Sequence, residues 1–273
     1  MRILILGCGY VGQPLAKELM KLTYEVHAAR RSSLSIEGVK THQVDITQPD
    51  SFESLPRNFD WIIFCASSGR GGAEAHRAVF VDGINNLIDW LGETSARVLF
   101  TSSTNIYPQT DGNWVAENTP RQPVTGTAQN LVDAETALIE SGITYSILRV
   151  AGIYGPDRGY FYRQLLNNEA VITDKGKRWM NMIHRDDVVG AILTVMKTQP
   201  GIYNACDNKP VTQGEFYEWL TNRLGKPMPP EGEVTHRKRT TTSKRVSNQK
   251  LKAAGWTLHY PTFREGYETL IKE

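Results

Sequence analysis

Three glycines near the start of the chain have a spacing that suits the binding of phosphate groups. Gly7, Gly9 and Gly12 lie in "LILGCGYVGQPLAKEL", directly after an apolar run and before a helix-like stretch. In a Gly-x-Gly-x-x-Gly turn the first glycine permits the tight turn, the second lets the backbone approach a pyrophosphate, and the third allows close packing of helix on strand. The helix N-terminus then faces the phosphates. This context predicts a dinucleotide-binding turn, with Tyr10 and Val11 among the contacts, rather than a glycine-rich turn without a ligand.

The end of the second predicted strand bears on which dinucleotide is bound. In NAD-binding turns of this type, an acidic residue about 20 residues further on binds the adenosine ribose. Here "HAARRSS" has no carboxylate and offers Arg30, Arg31 and Ser32, whose cations and hydroxyl suit a 2′-phosphate. The sequence therefore favours NADP over NAD, although a solvated turn would use the same residues. Asp45, at the end of the third predicted strand, is either an adenine contact or an acidic turn residue.

Short apolar strands alternate with helix-like stretches through the first half of the chain. Strands are predicted at "RILIL", "YEVHAA", "HQVDI", "DWIIFCA", "RVLFTSS" and "TYSILRV". Buried runs separated by helices are typical of a parallel sheet that is covered on both faces. The pattern predicts an α/β fold with a doubly wound parallel sheet of the Rossmann type, followed by a small C-terminal substrate lobe.

A loss of this alternation after "YGPDRGY" divides the chain into two predicted domains. Residues 1–156 are expected to form the dinucleotide-binding domain, to which residues 184–206 return. Residues 157–183 and 207–273 are expected to form the small substrate-binding lobe. Pro, Gly and basic residues are frequent between Gly225 and Arg245, as expected of a loop-rich lobe.

Composition argues against several classes of protein. The 273 residues carry 31 Lys plus Arg and 29 Asp plus Glu, so a formal net charge of +2 provides no broad field for nucleic acid or a membrane surface. No apolar run approaches the roughly 20 residues of a membrane helix, and "MRILILGC" is too short for a signal peptide. Three widely spaced cysteines suggest neither a disulfide framework nor a metal site. We expect a cytoplasmic protein with reduced cysteines.

Several further segments carry a resemblance to one enzyme family. Together with the glycine turn, "FTSSTNIYP", "ENTPRQPVTGTAQNLVDAETAL", "YSILRVAGIYGP" and "MIHRDDVVGAI" are similar to the extended short-chain dehydrogenase/reductase family, the NAD(P)-dependent epimerases and dehydratases. The similarity covers nearly the whole chain. It implies that Ser103 polarises the oxygen of a substrate. It also implies that Cys65 and Ala66, at the end of the fourth strand, lie near the nicotinamide ribose.

The same resemblance shows a loss of chemistry in "PVTGTAQNLVDAE". In that family a tyrosine acts as acid and base, and a lysine one helical turn later lowers the pKa of the tyrosine and holds the nicotinamide ribose. Thr127 and Leu131 occupy these two positions. An alkyl hydroxyl is a far weaker acid than a phenol, and leucine supplies no cation. Hydride transfer by the usual mechanism is therefore expected to be slow or absent.

Other ionisable groups offer partial replacements for the missing pair. Tyr107, Tyr154 and His184 could donate a proton, but each matches a position that is usually structural in the family. The basic segment His236–Arg245 is either a solvated loop or a site for phosphate or carboxylate groups of a substrate.

Two functions remain open at this point, in addition to a hydroxyacid-type dehydrogenase, which "LGCGYVGQPLA" also suits but which explains none of the later motifs. The first is an atypical NAD(P)-dependent enzyme that acts on a small polar or sugar-nucleotide-like substrate. The second is an NADP(H)-binding sensor or scaffold without turnover. The helices near Glu74–Leu91 and Thr127–Ser141 resemble those that form a dimer interface in the family, which makes a homodimer possible.

Overall fold

The structure is a computed structural model that describes residues 1–69, 71–233 and 242–271. The strands are β1 (Arg2–Leu6), β2 (Glu25–Arg30), β3 (Lys40–Gln43), β4 (Trp61–Phe64), β5 (Arg97–Ser103), β6 (Trp114–Val115), β7 (Tyr145–Val150), β8 (Gly152–Tyr154), β9 (Trp179–Met180), β10 (Met182–His184), β11 (Gly201–Ala205), β12 (Val211–Thr212) and β13 (Arg245–Val246). The helices are α1 (Gly12–Lys21), α2 (Gly72–Arg77), α3 (Gly83–Leu91), α4 (Gly126–Glu140), α5 (Tyr160–Leu166), α6 (Arg185–Val195), α7 (Gln213–Leu224), α8 (Gln249–Ala253) and α9 (Phe263–Glu268).

Parallel strands form the main sheet of the described chain. Their order is β11-β7-β5-β4-β1-β2-β3, and every neighbouring pair is parallel. The order reverses between β1 and β4, and in doubly wound folds a ligand binds outside the carboxyl ends of the strands at such a point. The predicted Rossmann-type sheet is confirmed, and the glycine turn follows β1 at the reversal.

The central strands are apolar on both faces because helices cover both sides of the sheet. All four residues of β4 are buried, as are Ile3 to Leu6 of β1. The first helix places Leu15, Ala16 and Leu19 against this layer. Burial of each large aliphatic side chain stabilises the folded state by about 1.5–3 kcal/mol. The packed layer therefore holds the strands, and with them the carboxyl ends of the strands, in place.

The helix expected over Glu74–Leu91 is divided in the structure. It begins as the short α2, continues through a π-helical turn at Ala78–Asp82, and ends as α3. The helix expected over Thr127–Ser141 begins and ends one residue earlier, as α4. No helix in the described residues has both the length and the apolar character needed to cross a membrane.

A second apolar cluster lies apart from the sheet. The main cluster surrounds the sheet and includes Val246, Leu251 and Trp256, although the predicted lobe covers their positions. The second cluster consists of Tyr154, Leu165, Ala170, Ile172, Met180, Met182, Val211, Phe216, Tyr217, Leu220, Phe263 and Tyr267. The division into a dinucleotide-binding domain (1–156 with 184–206) and a small lobe (157–183 with 207–273) remains a prediction.

Candidate cofactor and substrate site

The first glycine of the turn is required by backbone geometry. Gly7 has a φ of 81°, in the left-handed region that favours glycine. A Cβ atom added there would lie 2.3 Å from the Cα of Ala66, which follows β4. The amide groups of Gly7 and Cys8 both donate to the carbonyl oxygen of Ala29, at 2.9 and 3.0 Å. The turn is thus held between β2 and the end of β4.

The other two glycines meet different surroundings. An added Cβ at Gly9 would find only the Gly7 carbonyl oxygen, at 3.8 Å, so this position is open to an approaching group. At Gly12 it would lie 3.2 Å from Cγ2 of Ile5 and 3.3 Å from Sγ of Cys65. The second glycine therefore leaves room for a ligand, and the third allows α1 to pack closely on the sheet. This arrangement fits a pyrophosphate group.

The backbone between these glycines supplies hydrogen-bond donors. The N–H groups of Tyr10 and Val11 donate to no backbone carbonyl within the described part of the chain. They precede the first turn of α1, where unsatisfied N–H groups and the helix dipole favour an anion. Tyr10 and Val11 could therefore hold a phosphate through backbone atoms alone.

The predicted ribose-binding edge lies at the end of β2. Arg30 donates from Nη2 to the carbonyl oxygen of Ser33 at 2.8 Å and from Nε to that of Ser32 at 3.2 Å. Arg31 and Ser32 are exposed. The Oδ1 atom of Asp45 accepts from the amide and hydroxyl of Thr47, at 3.1 and 2.8 Å. Arg30 therefore shapes the loop that presents Arg31 and Ser32, while Asp45 stabilises its own turn.

Cys65 and Ala66 form the wall opposite the glycine turn. The Cys65 thiol donates to the Gly7 carbonyl oxygen at 3.6 Å. Burial raises the pKa of the Cys65 thiol far above its usual value, and raises that of Cys8 to about 11. A thiol that remains protonated is a poor nucleophile. Cys65 therefore packs and lines the site without covalent chemistry of its own.

Two adjacent serines at the end of β5 have different partners. The Ser103 Oγ accepts from the amide of Asn105 at 3.2 Å, and its side chain is half-buried. The Ser102 Oγ instead donates to Oε1 of Glu135 in the interior, at 2.7 Å. Within the described part of the chain the Ser103 hydroxyl accepts this bond and donates none, so its proton is available at the carboxyl end of β5.

The start of α4 has neither an acid nor a cation at the two positions singled out in the sequence. Thr125 caps the helix by accepting from the amide of Ala128 at 3.2 Å, and its hydroxyl lies 3.3 Å from that of Thr127. Leu131 is 3 % exposed and belongs to the main apolar cluster. These first turns therefore contribute a helix cap and packing.

The comparisons with known proteins decide the family. A model of the NAD dependent epimerase/dehydratase family matches residues 3–206. The chain belongs to this family. Protein YeeZ of Escherichia coli (strain K12) is 28% identical over 240 residues, which cover 82% of this chain and 84% of that protein.

Solved structures agree with this assignment. A protein assigned as an NAD-dependent epimerase/dehydratase from Methylobacillus flagellatus has 30% identity and a TM-score of 0.82, over 98% of this chain and 97% of that one. The UDP-glucose 4-epimerase of Thermus thermophilus, solved in complex with NAD, has 20% identity and a TM-score of 0.79, over 97% and 96% of the two chains. The latter likeness shows the fold alone.

In this epimerase/dehydratase family member, a buried ion pair lies behind the start of α4. Glu135 accepts from Nε and Nη2 of Arg149 at 3.1 and 2.7 Å, and the two side chains are 0% and 1% exposed. Sequence reasoning did not single out either residue. Thr127, Leu131 and Glu135 are spaced four residues apart and so share one helix face. This spacing was the signal that could have pointed to Glu135.

The three alternative proton donors all lie in the interior. The Tyr107 hydroxyl donates to Oδ1 of Asn204 and accepts from Nη1 of Arg149, each at 2.9 Å. Tyr154 is 1% exposed, and burial raises the pKa of its hydroxyl. His184 is 2% exposed, and burial lowers its pKa to about 4. Each group favours its neutral form and is shielded from a substrate at the surface.

The basic segment is only partly described, since residues 236–241 lie outside the described residues. Within the remainder, Lys244 is 5% exposed and donates from Nζ to the hydroxyl of Thr242 at 3.0 Å. Burial, with a smaller contribution from the charge of Arg178, lowers the pKa of Lys244 to about 8. The Arg245 guanidinium lies 5.2 and 5.1 Å from the ring centres of Trp114 and Trp179. This part of the segment is packed rather than solvated.

Proposed function

We propose that this protein binds NADP(H) and a small polar substrate without the tyrosine–lysine proton transfer implied for its family. The observation that carries the proposal is the contrast between a complete glycine turn and the start of α4, where Thr127 and buried Leu131 stand at the two chemical positions. An alcohol without a neighbouring cation is a poor proton donor at neutral pH. Any turnover must take its proton from another group or from water.

The preference for NADP rests on the edge at β2. Arg31 and Ser32 are exposed there, and Arg30 orders the loop that carries them. A 2′-phosphate would gain charged hydrogen bonds from these groups, whereas the ribose hydroxyl of NAD would find no carboxylate. NADP(H) is therefore the proposed cofactor and NAD the alternative.

The proposed substrate is small, polar and anionic, with a sugar-nucleotide-like molecule as one such class. Ser103 would donate a hydrogen bond to a substrate carbonyl at the carboxyl end of β5. Lys244 and Arg245 are the basic groups proposed to bind the anionic part of the substrate. The amide of Gly112 donates to the carbonyl oxygen of Ser243 at 2.9 Å, which joins their segment to the loop that follows β5. A buried cation without a carboxylate gains stability when an anion binds beside it.

The second candidate function is a cofactor-binding sensor or scaffold without turnover. The specific observation in its favour is that Tyr107, Tyr154 and His184 are all buried. None of these residues presents a proton to a substrate next to Ser103. A homodimer through the α2–α3 and α4 surfaces, and a cytoplasmic location, remain predictions for either function.

The test combines cofactor binding with a survey of nucleotide-sugar, aldehyde and ketone substrates, followed through NADPH absorbance. We expect binding with slow turnover that is lost in Ser103→Ala and kept in Ser54→Ala, an exposed serine outside the site. Binding without any turnover would favour the sensor. Rapid turnover that persists in Ser103→Ala would contradict the placement of the site. Failure to bind either dinucleotide would contradict the proposal as a whole.

A further inference from the structure

A cleft of about 660 Å³ borders the glycine turn at Gly9 and Tyr10. One wall is the exposed side of α1, with Gln13, Pro14 and Lys17. The other wall is the loop after β8, with Arg163 from the last turn of α5 and Arg185 from the start of α6. Among the described residues, none from the ends of β2, β4 or β5 lines the cleft, and Gly9 and Tyr10 are the two that it shares with the candidate cofactor site. Its volume is within the range of small-molecule sites.

Positive charge predominates in this cleft. Lys17, Arg158, Arg163 and Arg185 line it together with Asp157. Arg185 is paired with Asp186, with Nε 2.9 Å from Oδ1. Among the described residues no salt bridge involves Lys17, Arg158 or Arg163. The cleft therefore holds cations that the protein itself does not neutralise.

Tyr10 fixes two of these cations in place. The guanidinium carbons of Arg158 and Arg185 lie 5.0 and 5.3 Å from the centre of its ring. The Tyr10 hydroxyl donates to the carbonyl oxygen of Pro156 at 2.9 Å, which ties the glycine turn to the loop that carries Arg158. Arginines that rest on an aromatic ring lose little further side-chain entropy when they bind a ligand.

The convergence of these cations has an energetic cost in the absence of a ligand. Burial lowers the pKa of Arg158, and the nearby charge of Arg163 lowers it further, although Tyr10 opposes both. Partial loss of water and repulsion between like charges both disfavour a cation. An anion bound between the two guanidinium groups would remove the repulsion and provide charged hydrogen bonds.

We propose that this cleft is a second ligand site, separate from the cofactor site, that binds the phosphate groups of a phosphorylated small molecule. The planar guanidinium groups of Arg158, Arg163 and Arg185 match the oxygens of a phosphate, and Lys17 adds a point charge. Because Tyr10 belongs to both the cleft wall and the glycine turn, occupancy of the cleft would stabilise the backbone that receives the cofactor.

The experiment measures the binding of inorganic pyrophosphate by titration calorimetry at constant ionic strength, with the cofactor site saturated with NADPH. The test variant is Lys17→Ala with Arg163→Gln, which changes two exposed side chains. The matched control is Lys21→Ala, one turn further along α1 and outside the cleft. We expect binding to weaken at least tenfold in the test variant and to stay within twofold of the native protein in the control. Equal affinity in all three proteins would overturn the proposal.

A second arm separates this site from the cofactor site. Pyrophosphate titrated with and without NADPH should bind to the cleft in both cases. Complete displacement of pyrophosphate by NADPH would assign these cations to the cofactor and overturn the idea of a separate site. If NADPH itself does not bind, the proposed function fails, and the comparison between the Lys17→Ala, Arg163→Gln protein and Lys21→Ala still decides whether the cleft binds phosphate.

Discussion

The glycine turn after β1 and the first turns of α4 both begin helices that flank the main sheet, yet the proposed function assigns cofactor binding to the first and no proton chemistry to the second. The glycine turn acts through backbone shape and amide groups, and its three glycines are all present. The start of α4 would act through two side chains, and these are Thr127 and Leu131. The proposed function therefore separates binding geometry from proton chemistry, because each depends on different atoms.

The two regions also differ in what holds them in place. Gly7 is confined by close backbone contact with Ala66 and by two hydrogen bonds to Ala29. The α4 helix is anchored further along, where Glu135 meets Arg149 inside the protein. The backbone at Gly7 leaves no room for a side chain, whereas the position of α4 depends on the side chain of Glu135. Four predictions test this difference.

The largest expected effect follows from removing the α4 anchor. Glu135→Ala should lower the free energy of unfolding by about 3–5 kcal/mol, because it leaves the Arg149 cation buried without its partner. Arg121→Ala removes a partly exposed guanidinium, 3.1 Å from the same carboxylate, and should cost no more than about 1 kcal/mol. Urea denaturation of both variants is the measurement. Similar small losses would show that the buried pair does not anchor α4.

The glycine turn should separate stability from cofactor binding. Gly7→Ala should destabilise the fold by about 3 kcal/mol, since it forces a left-handed backbone and a clash with Ala66. Gly9→Ala should keep native stability within about 1 kcal/mol and lose cofactor affinity, because the added methyl group occupies the space for the pyrophosphate. Denaturation and cofactor titration of each variant provide the check. Full cofactor affinity in Gly9→Ala would contradict the proposed position of the pyrophosphate.

The edge at β2 should give a smaller, selective effect. We expect NADPH to bind about tenfold or more tightly than NADH, since a charged hydrogen bond contributes roughly 1.5–3 kcal/mol. The preference should disappear in Arg30→Ala with Arg31→Ala, while affinity for NADH changes little. Parallel titrations measure this. Equal affinities in the native protein would remove the basis for proposing NADP.

The smallest expected effect is at Thr127. Thr127→Val should leave any measurable turnover within about twofold, because an alcohol at this position is not expected to supply the 10²–10⁴-fold contribution of a general acid. Initial rates with NADPH, at equal stability of the two proteins, are the measurement. A large loss of rate would show that the start of α4 still carries chemistry and would end the contrast with the glycine turn.

Much of the fold could be predicted because its signals are local. The parallel sheet follows from short apolar runs separated by helices, and the glycine turn from its spacing after β1. The prediction of one continuous helix over Glu74–Leu91 was less accurate, because the apolar pattern does not reveal the π-helical turn at Ala78–Asp82. In the site, the identities of Thr127 and Leu131 were enough to predict the loss of the usual proton donor, and that loss has not been tested.

The sequence by itself determined where the glycine turn forms, which is the proposed phosphate site, and that α4 has no tyrosine or lysine at positions 127 and 131, because both depend on residue identity and short-range spacing. Tertiary structure alone decided that Glu135 meets Arg149, that Tyr10 lies between Arg158 and Arg185, and that Lys244 is buried. Tyr10 is well over a hundred residues away from each of these two arginines in the chain. Burial and the distances between charges arise only when the layers of the fold pack together, so no local pattern records them.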